Sequence, residues 1–303
     1  MAGLNADGVL VVDKPVGPTS HDIVAQARRF FATRSVGHAG TLDPEASGVL
    51  VLMFGEAKKL SSYLTAQSKD YLAEVCFGRS TDSLDASGTT VAEQPLPSHW
   101  PPLSELTAAL ATERARQLQI PPQVSAIKLG GRPAHRRVRA GETVELAPRS
   151  VHVEALELLE VQGNAARFSL SVSKGYYVRA FARDLGESMG VPAHLSSLRR
   201  TRSGAWTLND AVVWPPHGEA DSAAPLIATA DAAAACLPSA SLTPGGALRA
   251  QQGKQLHESD FTELPLGASV SVWFDVERRL VALGQRCDDG SFRVLRGFRG
   301  GQL

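Results

Sequence analysis

Gly37-His38-Ala39-Gly40-Thr41-Leu42-Asp43-Pro44-Glu45-Ala46-Ser47-Gly48, running straight into Val49-Leu50-Val51-Leu52-Met53-Phe54, is the stretch on which the fold turns. Its first part is built from small residues and a proline and reads as a loop. The unbroken apolar run behind it reads as a buried strand. Asp43 therefore sits on a loop set against a core strand. Pro44 biases the Asp43 backbone away from the helical region, and the small neighbours let a planar ligand approach the main chain.

Upstream, Gly8-Val9-Leu10-Val11-Val12-Asp13-Lys14-Pro15 is a second short buried strand, stopped by proline. Thr19 then caps a helix from Ser20 to about Ala32, with Ile23, Val24, Ala27, Phe30 and Phe31 on one face and Asp22 in the first turn. Downstream, Lys58 to Ala66 is helical, and Lys69-Asp70-Tyr71 opens an alternating strand to Phe77. Strand, turn, helix and strand mix without regular βαβ alternation. The pattern predicts an α+β fold around a mixed, largely antiparallel sheet.

Further along, Gln94 to Leu103 reads as a surface connection, followed by a helix to about Ala111. Ser125 to Arg139 is a basic stripe holding Lys128, Arg132, His135, Arg136, Arg137 and Arg139 with no acidic residue. Phe168 to Ser173 alternates like a strand, Lys174-Gly175 turns it, and Tyr177 to Met189 resumes helical spacing with Arg179 in the first turn. A cation there opposes the helix dipole and calls for an anionic partner. Leu198 to Arg202 follows as a basic strand. Composition shifts at Trp214-Pro215-Pro216, and Pro238 to Gly246 resembles a linker, so a large domain over 1–238 and a small one over 239–303 are expected. Short β-like runs at Val270–Val276, Arg279–Leu283 and Ser291–Leu295 suit a small β-barrel for the second.

The 303 residues suffice for such a pair, and 31 basic residues balance 31 acidic ones, so charge bears on nucleic-acid binding only through its distribution. There is no run long enough for a membrane span and no secretion-type N-terminus, which leads us to expect a cytoplasmic location. Cys76, Cys236 and Cys287 are far apart and predict free thiols, with neither a disulfide framework nor a zinc site. A phosphate-binding P-loop, a dinucleotide fingerprint, a metal-spaced His/Cys cluster and a nucleophile-elbow serine are absent.

Asp43 is a candidate catalytic carboxylate or, as readily, the organiser of a turn. In the first role it needs a cationic partner, because an unpaired buried carboxylate becomes protonated, and a surface on which a ring can stack. Arg179 and Tyr71 are candidates for these, against their alternatives of a surface salt bridge and a strand tyrosine packed on the core. Spacing alone does not bring the three together. The basic segments at 128–139 and 199–202 suit a phosphate backbone or a solvated charged face equally well.

Five segments in order carry a resemblance: Lys14-Pro15-Val16-Gly17-Pro18-Thr19-Ser20, Gly37 to Leu50, Lys69-Asp70-Tyr71, Pro121 to Lys128, and Ser173 to Gly186, extending into Leu198-Arg199-Arg200. Together they resemble the bacterial TruB family of tRNA pseudouridine synthases, which modify the T-loop uridine conventionally numbered 55. The resemblance implies Asp43 as catalytic aspartate, Tyr71 as the stacking tyrosine and Arg179 as the arginine paired with that aspartate. It further implies Tyr177 and Leu198 in the uracil pocket, His38 in support of the opened T loop, and Lys14 near the active site. It implies the pseudouridine synthase fold, a C-terminal PUA-like RNA-binding domain through Leu248 to Leu256, and tRNA as partner through its T arm and acceptor stem. No cofactor, metal, obligate protein partner or guide RNA is expected, and a monomer is. Two positions depart from the family pattern: Val124 stands where an aromatic residue is common, and Tyr176 replaces a smaller residue after Lys-Gly. Three rival readings are an RNA-binding protein with a vestigial loop, a guide-RNA-dependent synthase, and a carboxylate hydrolase. The last needs a second carboxylate facing Asp43, and Glu45 is too close in sequence.

Overall fold

Strands β1 (Gly8–Lys14) and β3 (Ala46–Phe54) pair antiparallel from Gly8 opposite Phe54 to Lys14 opposite Gly48. Both are buried on both faces, so their apolar residues run continuously instead of alternating. Leu10, Val12, Leu50, Leu52 and Phe54 enter one core, while Val9, Val11, Val49, Val51 and Met53 enter another on the opposite side. The computed structural model describes residues 7–125, 127–129, 132–134, 137, 140, 142, 144–215, 226–265, 267 and 269–299.

The other elements of the first half, in chain order, are α1 (Ser20–Phe30), β2 (Val36–His38), α2 (Ser61–Ala66), β4 (Lys69–Phe77), β5 (Arg79–Thr81), β6 (Thr90–Glu93), α3 (Leu103–Arg114), β7 (Leu118–Gln119), β8 (Lys128–Leu129), β9 (Arg132–Pro133) and β10 (Arg149–Ser150). The second half holds β11 (Val153–Gln162), β12 (Ala165–Val172), α4 (Val178–Ser188), β13 (Ala193–Ser203), β14 (Trp206–Thr207), β15 (Val212–Val213) and α5 (Thr229–Ala234). It closes with β16 (Ser239–Leu242), α6 (Pro244–Gln251), β17 (Phe261–Glu263), β18 (Val270–Phe274), β19 (Leu280–Arg286) and β20 (Phe292–Gly297).

The central sheet runs β11-β12-β4-β13-β3-β1-β15, with β14 on β13 and β2 on β3. Its pairs are antiparallel except β13–β3 and β1–β15, which makes it mixed and largely antiparallel, as the irregular element order predicts. Helix α1 begins at the expected cap: Thr19 Oγ1 accepts from the Asp22 N–H at 3.1 Å, and the Asp22 carboxylate accepts from the Thr19 N–H at 2.9 Å. It ends at Phe30, short of Ala32, because Ala32 takes a left-handed φ of 48°. Helix α4 lays Phe181, Ala182 and Leu185 on the sheet, and α3 adds Leu106 and Leu110 to the same core. The three cysteines are free thiols, as their spacing predicts. No helix among the described residues is long and apolar enough to cross a membrane.

The C-terminal region departs from expectation twice. The segment read as a linker is structured: Ser239–Leu242 is β16, and Pro244 opens α6, where its missing N–H costs nothing. Thr243 caps that helix, accepting from the Gly246 N–H at 3.0 Å. Strands β16 to β20 form an open five-stranded sheet, β17-β16-β18-β19-β20, whose edge strands do not pair among the described residues, so the expected barrel closure is not found. The sheet has no need to close on itself, since both its faces are already covered. Leu242, Leu256, Trp273 and Phe292 form a core of its own, while Val272, Phe274, Leu280 and Leu283 join Val9, Val11, Val49 and Val51 of the central sheet.

Candidate active site

The loop carrying Asp43 is held from both flanks by buried side chains. Ser20, fully buried at the start of α1, accepts from the Leu42 N–H at 2.8 Å and donates to the Leu42 carbonyl at 3.0 Å. Lys14, also fully buried, donates to the carbonyls of Pro15 (2.7 Å), Pro18 (2.9 Å) and Pro44 (3.4 Å). From β13, Arg200 donates to Val49 O (2.7 Å), Gly40 O (3.1 Å) and Thr41 O (3.4 Å). Satisfying these loop carbonyls inside the protein fixes a backbone that has no ladder of its own. Burial lowers the Lys14 pKa from 10.5 to about 8, against the opposing pull of Asp43 and Glu45.

Asp43 projects from this loop into a cavity of about 560 Å³, with 39 % of its side chain exposed. Arg179, on the first turn of α4, places Nε 2.9 Å from Asp43 Oδ2 and 3.7 Å from Asp85 Oδ2. Its two terminal nitrogens donate to Ser83 O (2.8 Å) and Val124 O (3.0 Å). The anionic partner that a cation at a helix N-terminus calls for is therefore Asp43, with Asp85 behind. Asp85 is itself buried and accepts from the hydroxyls of Ser83 and Ser87, each at 2.6 Å.

Tyr71, Tyr177 and Leu198 line the same cavity as Asp43 and Arg179. The strand register explains part of this convergence, since Tyr71 on β4 lies opposite Leu170 on β12 and Arg200 on β13. Tyr177 is fixed through its backbone: its N–H donates to Gln119 Oε1 at 2.8 Å, and Gln119 Nε2 donates to its carbonyl at 3.2 Å. Burial raises the Tyr177 phenol pKa, with Asp43 adding to the rise and Arg149 opposing it.

Lys14 and His38 do not line the cavity. Lys14 supports the Asp43 loop from behind, and His38 stands on β2 with its ring edge-on to His21, 5.4 Å between centroids. Burial lowers the His38 pKa, and His21 and Arg200 lower it further.

Both departures from the family pattern find a place. Val124 contributes its carbonyl to Arg179, a contact that any residue type supplies. Tyr176 lines the cavity and donates its hydroxyl to the buried Glu113 carboxylate at 2.8 Å, which Arg116 Nε also engages at 2.8 and 2.7 Å. Residue patterns gave Asp85, Glu113 and Lys69 no part in the site. Asp85 and Glu113 carry no local signal, whereas Lys69 stands two residues before Tyr71 on the same strand face, a period-2 relation visible in the sequence.

The basic strand 199–202 is not a free charged face. Arg199 pairs with Asp13 at 2.6 Å, Arg202 pairs with Asp70 through two 2.6 Å bonds, and Arg200 is buried on carbonyls. Of the stripe 128–139, His135, Arg136 and Arg139 lie outside the described residues, and Arg137 pairs with Glu142 at 2.5 Å. No group of three or more His, Cys, Asp or Glu side chains among the described residues is placed to hold a metal.

Residues 28–178, which contain Asp43, Tyr71 and the start of α4, match the model of the TruB family pseudouridylate synthase (N terminal domain). That match puts the cavity and its sheet in the pseudouridylate synthase class. The chain is 40 % identical over 300 residues to tRNA pseudouridine synthase B of Thermobifida fusca, covering 96 % of this chain and 98 % of that one. It is 44 % identical over 208 residues to the protein of the same name from Mycobacterium tuberculosis, covering 67 % and 69 %. The chain belongs to the TruB family. Its fold also superimposes on a chain of a Cbf5-Nop10-Gar1 complex with a TM-score of 0.74 at 23 % identity, covering 97 % of this chain and 84 % of that one. A second solved structure, an H/ACA RNP bound to a substrate RNA containing 2'-deoxyuridine, gives a TM-score of 0.70 at 22 % identity, covering 96 % and 85 %.

Proposed function

We propose that this protein converts the T-loop uridine 55 of tRNA into pseudouridine, with Asp43 as the catalytic carboxylate. The observation that carries the reading is the Asp43–Arg179 ion pair at 2.9 Å on the wall of a cavity shared with Tyr71, Tyr177 and Leu198. A cavity of about 560 Å³ falls within the roughly 300–1,000 Å³ typical of small-molecule sites and suits one extruded nucleotide.

The reaction breaks the bond between ribose C1′ and uracil N1, turns the ring and joins C1′ to C5, with one proton lost from C5 and one gained at N1. Atoms and electrons balance within the nucleotide, so no redox agent or group donor is needed. Asp43 serves as nucleophile at C1′, as base at C2′ or by addition to C6, and each route needs its carboxylate beside the flipped nucleotide. Tyr71 stacks on the ring and helps offset the few kcal/mol, approximately, that extrusion costs. Leu198 supplies an apolar wall that excludes water, which would otherwise divert a sugar electrophile to hydrolysis. Arg179, already holding Asp85 and two carbonyls, stays in place while Asp43 reacts.

The reading extends to the rest of the chain. Residues 1–238 act as the catalytic domain, and 239–303 as a PUA-like RNA-binding domain that grips the acceptor stem. In this reading the chain acts as a standalone cytoplasmic monomer and not in an assembly with protein or guide-RNA partners. Pseudouridine formation on an unmodified tRNA transcript, measured with wild type and Asp43→Asn without added cofactor, tests the assignment. Wild type is expected to convert uridine 55, and the variant to bind the transcript without converting it. Binding by both proteins with conversion by neither would reject the enzymatic reading in favour of an RNA-binding one.

A further inference from the structure

Arg199 and Arg202, which run together in sequence, are paired inside the fold, while the cations that line the cavity, Arg149 among them, come from separate elements. Arg179 is matched by Asp43 and Asp85, and Arg200 by carbonyls. Lys69, at the start of β4, and Lys174, in the turn between β12 and α4, also line the cavity, and neither is ion-paired to a carboxylate among the described residues. Lys69 is 6 % exposed, and its ammonium donates to Thr65 O (2.7 Å) and Gln67 O (2.5 Å) at the end of α2. Gly40, at φ +91°, leaves room beside it: a Cβ there would stand 3.6 Å from both Lys69 Cε and Arg200 Nη1.

Two ammonium groups in one cavity wall, with the Arg200 guanidinium behind them, form a like-charge cluster in which no carboxylate among the described residues is ion-paired to either lysine. Burial, and after it Arg200, Lys174 and Arg202, bring the Lys69 pKa down to about 8. An anion entering the cavity relieves that repulsion and favours the protonated lysine. The cavity thus offers the three kinds of surface that a nucleotide requires. Tyr71, Tyr177 and Leu198 suit a base, Asp43 faces the sugar, and the lysines suit a phosphate, to which compact ammonium groups bind as point charges.

We propose that Lys69 and Lys174 form a subsite for one backbone phosphate flanking the nucleotide held in the cavity. The inference rests on the RNA-modifying function proposed above. Its probe is a T-arm stem-loop RNA bearing either natural phosphates or a single uncharged methylphosphonate on the 5′ or the 3′ side of the target uridine. Lys174 is exposed, so Lys174→Ala is expected to fold.

Lys174→Ala should weaken binding of the natural RNA about tenfold and reduce the slope of log Kd against log salt by about 1. Lys174→Arg, which keeps the charge, should restore most of the affinity. One of the two methylphosphonates should weaken wild-type binding by a similar factor yet add little to the loss in Lys174→Ala. The proposal is overturned if affinity and salt slope are unchanged in Lys174→Ala, or if the two losses multiply at both linkages. Pseudouridine is scored in the same wild-type reactions. A protein that binds through Lys174 but converts nothing supports the subsite while rejecting the enzymatic reading.

Discussion

At the scale of single residues, the site depends on charged groups that the fold buries only in company. Tyr176, Glu113 and Arg116 form one such set, with Glu113 2 % and Tyr176 8 % exposed. Burial raises the Glu113 pKa, and the bonds from Tyr176 and Arg116 oppose the rise. Tyr176→Phe removes a hydrogen bond to a buried carboxylate and should cost about 1.5–3 kcal/mol of stability, read as a lower denaturation midpoint. An unchanged midpoint would mean that the bond contributes nothing. Lys14 gives a pH signature. Its native pKa of about 8 lies below the ordinary 10.5, so between these values the unfolded chain binds more protons than the native one and stability rises with pH. Lys14 should contribute on the order of 2–3 kcal/mol to the rise across that window, and Lys69, brought down to about 8 as well, adds in the same sense; Lys14→Met should therefore flatten the rise by Lys14's share, as urea titrations from pH 7 to 10.5 will show. Equal slopes in the two proteins would contradict it.

At the scale of elements, the Asp43 loop is as well placed as the strand pairing that begins three residues later. Strand β3 meets β13 in parallel, with Ala46, Ser47 and Gly48 opposite Leu198, Arg199 and Arg200. Gly48 has φ +104°, and a Cβ on it would stand 2.1 Å from the Arg200 carbonyl oxygen. Gly48→Ala must therefore separate β3 from β13, and the expected loss is about 3 kcal/mol or more, with Asp43 displaced and conversion lost together. A variant that melts like wild type would show that the strands give way at little cost. Much at this scale is legible in the sequence. The Thr19 cap, the doubly buried strands β1 and β3, and the alternating strand β4 each follow from local pattern, and their observed bounds lie close to the expected ones. The segment 238–246 is not legible in that way. Its proline and glycines read as a linker, but they cap and open a helix once Thr243 and β16 are in position.

At the scale of the whole molecule, the two sheets share a core. Val272, Phe274, Leu280 and Leu283 of the C-terminal sheet pack with Val9, Val11, Val49 and Val51. Lys59 donates to Gly297 O at 2.7 Å, and the Arg299 N–H donates to Glu56 Oε2 at 3.0 Å. Calorimetric and near-ultraviolet unfolding curves are therefore expected to coincide in one transition, because exposing either sheet exposes the other's apolar face. Two separated transitions would show that the sheets melt independently. This shared core is also why the C-terminal strands, which alone suggest a closed barrel, form an open sheet.

The sequence by itself determined the first strands and helices, the free thiols, the loop that presents Asp43 and, through five ordered segments, the family. These are local properties, written in periodicity, capping residues and short motifs. Only the tertiary structure decided which charges face the cavity. Arg199 and Arg202 belong to the most basic strand of the chain yet pair with Asp13 and Asp70, whereas Lys69 and Lys174, neither of them in a basic run, meet in one cavity wall. It also brought Asp85 to Arg179 and Glu113 to Tyr176. A side chain's electrostatic role depends on what it is buried against, and strands distant in sequence settle that when they pair.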